Sequence, residues 1–250
     1  MGSTVCQAVA TEPGLELVAA VDPHHAGLEI SRVAGVAGVD VLVSASPDAL
    51  TAAEIDVAVD FTEVSAARGN LAALAEAGIH AVVGTTGFDD DDLTRFRAGF
   101  TRSNCLIAPN FAIGAILMMR FAELASPYFE TGEIIELHHD DKIDAPSGTA
   151  MLTAERMAAA SSNWGTDPTT VEVIPGARGA VGPGGVHVHS VRMRGMVAHQ
   201  EVLLGTTGQT LTIRHDSIDR TSFMPGVMLA AKSIADHPGV TVGLERFLDL

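Results

Sequence analysis

The sequence predicts an α/β protein of two domains, and three observations carry that prediction. Up to residue 111, short β-branched apolar runs alternate with alanine-rich helical stretches, the pattern of parallel strands covered by helices on both faces. Beyond Phe111 one long amphipathic stretch gives way to strands that alternate apolar and polar residues and are separated by glycine-containing turns. At 47% apolar content, 250 residues supply enough buried surface for two cores. The expected architecture is therefore a Rossmann-like parallel-sheet domain plus a second α+β domain with a largely antiparallel or mixed sheet.

The elements follow in order. Residues 3–12 read as a helix and 15–21 (LELVAAV) as a strand that ends on Asp22. DVAVDF (56–61) is a strand, 65–77 a helix, 80–83 a strand, and 90–100 a helix with aspartates in its first turn, where they complement the helix dipole. A strand at 104–108 completes the first domain, placed at residues 1–111. The second, at 112–216, begins with a helix over 113–129 and continues with a strand at 133–138, a polar loop and a helix over 147–160. Residues 171–215 read as antiparallel strands (VHVHSVRM, HQEVLLG, QTLTIRHD), with the glycine-dense PGARGAVGPGG (175–185) as a mobile loop. The tail, 217–250, carries a helix at 226–235 and is expected to return to the dinucleotide domain.

Composition narrows the function. Fifteen Lys and Arg against 31 Asp and Glu give a net charge of −16, which repels nucleic acid and anionic membranes over most of the surface. A small anion is still compatible, because a pocket responds to its own few cations. No apolar run approaches the roughly 20 residues of a membrane span. Two cysteines, Cys6 and Cys105, are too few for a disulfide framework or a cysteine-built zinc site, so the expected compartment is the cytoplasm.

A dinucleotide unit runs strand, glycine-rich turn, helix, strand, with an acidic residue about 20 positions after the turn to bind the adenine ribose. Asp22 lies 20 residues after Gly2. The spacing fits if Gly2 is the last glycine of the fingerprint, which places the first strand and earlier glycines before Met1. The expectation is a sheet without one central strand and an incomplete pyrophosphate loop; a helical entry into an ordinary sheet is the other reading. Gly84-Thr85-Thr86 and Ala108-Pro109-Asn110-Phe111 follow two strands at the same edge. The first lets backbone and hydroxyls approach a ligand, and the second is a hinge and a nicotinamide wall. The first also reads as an ordinary βα turn.

ELHHDDKIDAPSGTA (136–150) concentrates chemistry in the second domain. His138 and His139 end a strand, Lys142 lies in the loop, and Ser147-Gly148-Thr149 opens a helix. The unpaired amides of a helix start attract anions, and small residues leave them accessible. A substrate carboxylate fits there, Lys142 is a second cation and a proton source, and a histidine exchanges protons near neutral pH. The plainer readings are an N-cap at Ser147 and a strand end at the histidines. A metal reading invokes His138, His139, Asp140 and Asp141, or His187 and His189 on one strand face, but Lys142 repels a cation and no third spaced element is present. His187 and His189 are alternatively expected to line the substrate pocket.

These residues resemble the signature of 4-hydroxy-tetrahydrodipicolinate reductases, nicotinamide-dependent enzymes of the diaminopimelate and lysine pathway. VDFT (59–62), GTTGF (84–88), APNF (108–111) and AHQEV…GTTGQTLTIRHDS…SF (198–223) match in the same order, so the resemblance covers nearly the whole chain and is closest to the actinobacterial branch. It implies that His138 is the acid/base residue and Lys142 the proton donor, with His139, Lys142, Ser147, Gly148 and Thr149 on a small dicarboxylate. It implies that Gly2, Asp22, Gly84, Thr85, Thr86 and residues 108–111 hold NADH or NADPH, and that the protein is a homotetramer.

Two departures stand out: the amino-terminal strand and most of the glycine loop, and the acidic pair Asp140-Asp141, expected to raise the pKa of His138 and Lys142. Two other readings are a dinucleotide-binding redox sensor without turnover and an aspartate-semialdehyde dehydrogenase, which needs an activated cysteine. Asp22 disfavours a 2′-phosphate unless His24 or His25 overrides it.

Overall fold

The computed structural model describes residues 1–250 and divides into two compact units: Met1–Ala112 with Arg220–Leu250, and Ile113–Asp219.

In the first unit the chain runs α1 (Gly2–Thr11), β1 (Ala20–Val21), α2 (Ile30–Ala34), β2 (Val43–Ser44), α3 (Asp48–Ala52), β3 (Val57–Asp60), α4 (Val64–Ala77), β4 (His80–Val83), α5 (Asp90–Gly99) and β5 (Cys105–Ile107). From the C-terminal segment come α8 (Met224–Ser233) and β11 (Val240–Val242). All strand pairs are parallel, but they form two sheets: β11-β5-β4-β3, and β1-β2 alone. Between β1 and β3 lies a cavity of about 330 Å³ lined by Val5, Leu17, Ala19, Val57 and Val59 among others, and neither strand has a partner on that side.

The core of the four-stranded sheet is Ala81, Val83 and Cys105 under Leu71, Leu74 and Phe96, the inward stripe of α4 and α5. α5 starts on a capping box in which Asp89 and Asp92 exchange backbone amides, and Arg68 from α4 grips the buried Asp92 with Nε and Nη2.

The second unit contains α6 (Ile113–Ala125), β6 (Thr131–His138), α7 (Gly148–Ala160), β7 (Ala180–Val181), β8 (His187–Arg192), β9 (Ala198–Thr206) and β10 (Gln209–Ser217). Its sheet runs β10-β9-β6-β8-β7. Alternation puts Ile134, Val202 and Leu204 on the face packed by α6 and α7.

Three expectations need correction. The strand at 15–21 pairs only over Ala20–Val21. Residues 171–179 contain no strand, and β8 runs parallel to β6 and not antiparallel, within a sheet that is otherwise antiparallel and so of the expected mixed kind. The 113–129 helix ends at Ala125 and passes into a 3-10 turn at Ser126–Tyr128, where Pro127 removes a backbone donor.

Candidate active site

In the second unit the site grows from the C-terminal end of β6. Residues i and i+2 of a strand share a face, so Glu136 and His138 both point to the α7 side, together with Arg192 of β8, which pairs in register with His138. Glu136 is wholly buried. Its Oε2 lies 2.5 Å from His138 Nδ1 and accepts from Arg192 Nη1 at 2.9 Å; its Oε1 accepts from Arg192 Nη2 at 2.8 Å and, at 3.3 Å, from the Ser147 amide. Burial pushes the Glu136 carboxyl up, but Arg192, Ser190 and His138 hold it below the usual value, so the group is a carboxylate. His138 sits below the ordinary histidine pKa because of burial, reinforced by the Lys142 and Arg192 cations and opposed by Glu136. At pH 7 its imidazole is neutral. Burial, Glu136, Lys142 and Arg192 are the main influences on it, and Asp140 and Asp141 are not among them.

Lys142 Nζ donates to both oxygens of Asp144, at 2.7 and 2.8 Å, and Arg192 Nη2 donates to the Asp144 carbonyl at 2.7 Å. The loop thus folds back onto the strand ends, through a cis Ala145–Pro146 bond, into the start of α7. Ser147 is the N-cap: its hydroxyl accepts from the Ala150 amide, and its own amide is taken by Glu136. This corrects the reading of bare amides at Ser147. The amides that the cap leaves over are those of Gly148, which is exposed and has open space where a Cβ would stand, and Thr149. His139 is exposed one residue past the strand.

The remaining histidine expectation also changes. His187 and His189 lie on the opposite sheet face from Glu136, His138 and Arg192. His189 Nε2 meets Glu133, and His187 Nε2 meets Asp167, in a cluster with Arg178 that fastens the 165–179 segment. They do not line the His138 site. No group of three or more ligating side chains is placed to hold a metal ion. Asp140 pairs with Arg194 at 2.8 Å and Asp141 is exposed. Replacing both with asparagine is expected to change KM for the ring substrate by less than about twofold, since exposed charges are screened; steady-state kinetics would read it.

In the first unit the predicted residues gather at the C-terminal ends of the parallel strands. Asp22 follows β1 and is fixed by its own turn: His24 N donates to Oδ1 at 2.9 Å, and His25 Nδ1 meets Oδ2 at 2.8 Å. The His25 hydrogen bond, followed by that of the His24 amide, holds its carboxyl below the usual range. Gly2 opens α1 with open space around it, and Gly2, Asp22 and Asp60 line the same cavity. A helix start for phosphate and a carboxylate for a ribose diol on one cavity fit a dinucleotide.

Gly84 is required by packing, because a Cβ there would stand 2.0 Å from the Phe61 ring. The Thr85 hydroxyl donates to Thr62 O at 2.8 Å, while Thr86 is exposed. Phe111, buried against Phe61 with centroids 5.8 Å apart, ends the run Ala108-Pro109-Asn110, where Pro109 is exposed and Asn110 Oδ1 accepts from the Ala112 amide.

Sequence reasoning missed Glu136, Arg192 and Asp60. The i, i+2 spacing of Glu136 and His138 was a usable signal for the first. Arg192 becomes a neighbour only through strand pairing. Asp60, which accepts from Thr62 N and Asn70 Nδ2, is half of an Asp-x-Thr turn readable in VDFT.

Comparison with known proteins gives the family. The N-terminal and C-terminal family profiles of dihydrodipicolinate reductase match residues 1–111 and 114–248. The 4-hydroxy-tetrahydrodipicolinate reductases of Beutenbergia cavernae and Nocardia farcinica are 50% and 51% identical, each aligned over 100% of this chain and 95% of the relative. The dipicolinate-bound dihydrodipicolinate reductase of Paenisporosarcina sp. TG-14 superposes with a TM-score of 0.85 at 38% identity, covering 98% of this chain and 94% of that one. An amine dehydrogenase from Mycobacterium smegmatis shares the fold at 13% identity and a TM-score of 0.64. The chain belongs to the dihydrodipicolinate reductase family.

Proposed function

We propose that this chain reduces 4-hydroxy-tetrahydrodipicolinate to tetrahydrodipicolinate with NADH or NADPH, in diaminopimelate and lysine biosynthesis. The observation that carries this is the grouping of Lys142, His138 and the free amides of Gly148 and Thr149 around one strand end and one helix start. The reduced nicotinamide supplies a hydride to the conjugated imine ring. The overall change takes up one hydride and one proton and releases the ring hydroxyl as water.

The residues of the chain divide the remaining work. Gly148 and Thr149 present amides at the positive end of α7 to one carboxylate, with His139 at the rim. Lys142 exchanges its exposed partner Asp144 for the other carboxylate and stands as proton donor, while His138 moves protons at Nε2. Gly2, Asp22, Gly84 to Thr86 and residues 108–111 hold the dinucleotide. The sheet face away from α6 and α7 carries half-buried Ile135, Leu137, Val191 and Leu203 among charged residues such as Glu133 and Glu201, which supports assembly of a homotetramer, and two free cysteines accord with a cytoplasmic setting.

A non-catalytic sensor has less support, because such a protein has no need of a proton donor. A semialdehyde dehydrogenase has less still: burial pushes the thiols of Cys6 and Cys105 up, away from the thiolate that such chemistry requires.

The test is nicotinamide oxidation with enzymically generated 4-hydroxy-tetrahydrodipicolinate; turnover absent with both NADH and NADPH while dipicolinate still binds would favour the sensor. A second expectation follows from His138. Its pKa is depressed in the free protein, and a dianion at Gly148 raises it, so dipicolinate binding takes up a proton between the free and bound values. Calorimetry in two buffers of different ionisation enthalpy should show up to one proton taken up at pH values between the depressed free and the raised bound pKa, fading as pH rises above the latter; proton release would contradict the assignment.

A further inference from the structure

The strand that delivers His138 also buries a carboxylate with no route to a ligand. Glu136 has no exposed surface, so it touches neither substrate nor cofactor. Yet its two oxygens meet three parts of the site: the His138 ring at the end of β6, the Arg192 guanidinium at the end of β8, and the amide of Ser147 where α7 begins. Arg192 extends the connection to the Asp144 carbonyl, next to the carboxylate that holds Lys142. A buried ion pair is weak evidence for stability, since apolar residues of similar volume often serve as well, and a role in fixing geometry is a better account of it.

We propose that Glu136 is a positioning residue of the reductase reaction, fixing His138 as the Nδ1–H tautomer so that Nε2 alone exchanges a proton with the bound ring. The inference rests on the functional reading above. A carboxylate accepts only, so the nitrogen facing it carries hydrogen in both protonation states of the ring. With Nδ1 so occupied, the neutral imidazole presents a lone pair at Nε2 and the imidazolium presents a proton there. An imidazole free to flip would spend part of its time with the wrong nitrogen outward.

The second function is electrostatic. The charged groups around the ring are Glu136 on its own strand, Arg192 on the neighbouring strand and Lys142 on the loop, two cations against one anion. Glu136 is the anion in direct contact with the ring, it favours the imidazolium, and it keeps His138 able to accept a proton beside Arg192 and Lys142. Arg192 binds both carboxylate oxygens and prevents the side chain from turning away.

Two measurements test this. Nitrogen-15 NMR of the histidine rings of the wild-type protein above pH 7, with His138 assigned through H138Q, should show His138 protonated at Nδ1; the Nε2–H tautomer would overturn the proposal without any variant at Glu136. Glu136→Gln should lower kcat by about a hundredfold, less than the roughly 10⁴-fold of the analogous change in a Ser-His-Asp triad, with KM within about threefold. It should also move the histidine limb of the kcat/KM profile to lower pH.

Glu136→Asp keeps the charge but is one methylene shorter, so kcat should fall while that limb stays near its wild-type position. An E136Q profile superimposable on wild type, with H138Q inactive, sinks the positioning role and leaves the functional reading intact. Full activity in H138Q sinks the reading itself. If E136Q does not fold, the tautomer and E136D decide.

Discussion

Lys142→Met is expected to lower kcat/KM about a thousandfold, within the 10²- to 10⁴-fold range of a lost general acid, and to raise the dissociation constant for dipicolinate as well. The side chain is one-fifth exposed and its partner Asp144 is well exposed. That pairing contributes little to folding, so the thermal midpoint should stay within about 2 °C. Lys142→Arg separates charge from proton transfer. The guanidinium keeps a cation for the carboxylate but does not give up a proton at working pH, so binding should largely survive while kcat remains low. Steady-state kinetics and calorimetry on the two variants read both quantities. Methionine within tenfold of wild type would remove Lys142 from the chemistry.

The largest effect on stability is expected from Gly226→Ala in α8. A Cβ there would lie 2.2 Å from the Phe111 carbonyl oxygen and 2.9 Å from Leu244. Alanine is ordinarily the better helix former by about 1 kcal/mol. Here the obstacle is backbone, which cannot swing aside, so α8 must move off the end of the 108–111 segment. Overpacking typically costs about 1–3 kcal/mol, which for a chain of this size corresponds to a midpoint lower by roughly 2–12 °C. Because Phe111 packs on Phe61, which in turn covers Gly84, the displacement reaches the proposed nicotinamide wall. Nucleotide affinity should fall along with the midpoint, while dipicolinate binding in the other unit stays unchanged. Differential scanning calorimetry and titration with NADH check this; an unchanged midpoint would mean that the helix accommodates the methyl group freely.

The parts of the fold written in local pattern were readable from residues alone. His80–Val83, the 90–100 helix with its aspartate-rich start and the Ser147 cap all depend on neighbours within a few positions. The misread parts depend on partners far away. Whether 15–21 is a strand is decided by what lies beside it, and only Ala20 and Val21 find a neighbour. The direction of β8 is set by its place next to β6, which alternation along its own sequence does not encode. The site divides the same way. His138, Lys142 and Gly148 stand within eleven residues and were legible as a group, whereas Arg192 lies more than fifty residues downstream and enters only through the sheet. His187 and His189 show the converse, because identical alternation fits either face until the register is known.

The ribbon formed by Ala20–Val21 and Val43–Ser44 is only two residue pairs long and stands apart from the four-stranded sheet, braced by the small apolar cluster of Ile30, Ala34, Val36 and Val43. Yet it carries Asp22, so any nucleotide gripped there spends part of its binding energy holding the ribbon together. Tightness for the coenzyme and local order in this corner of the protein are therefore one quantity seen from two sides: whatever braces the ribbon sharpens the grip, and whatever loosens it taxes every encounter.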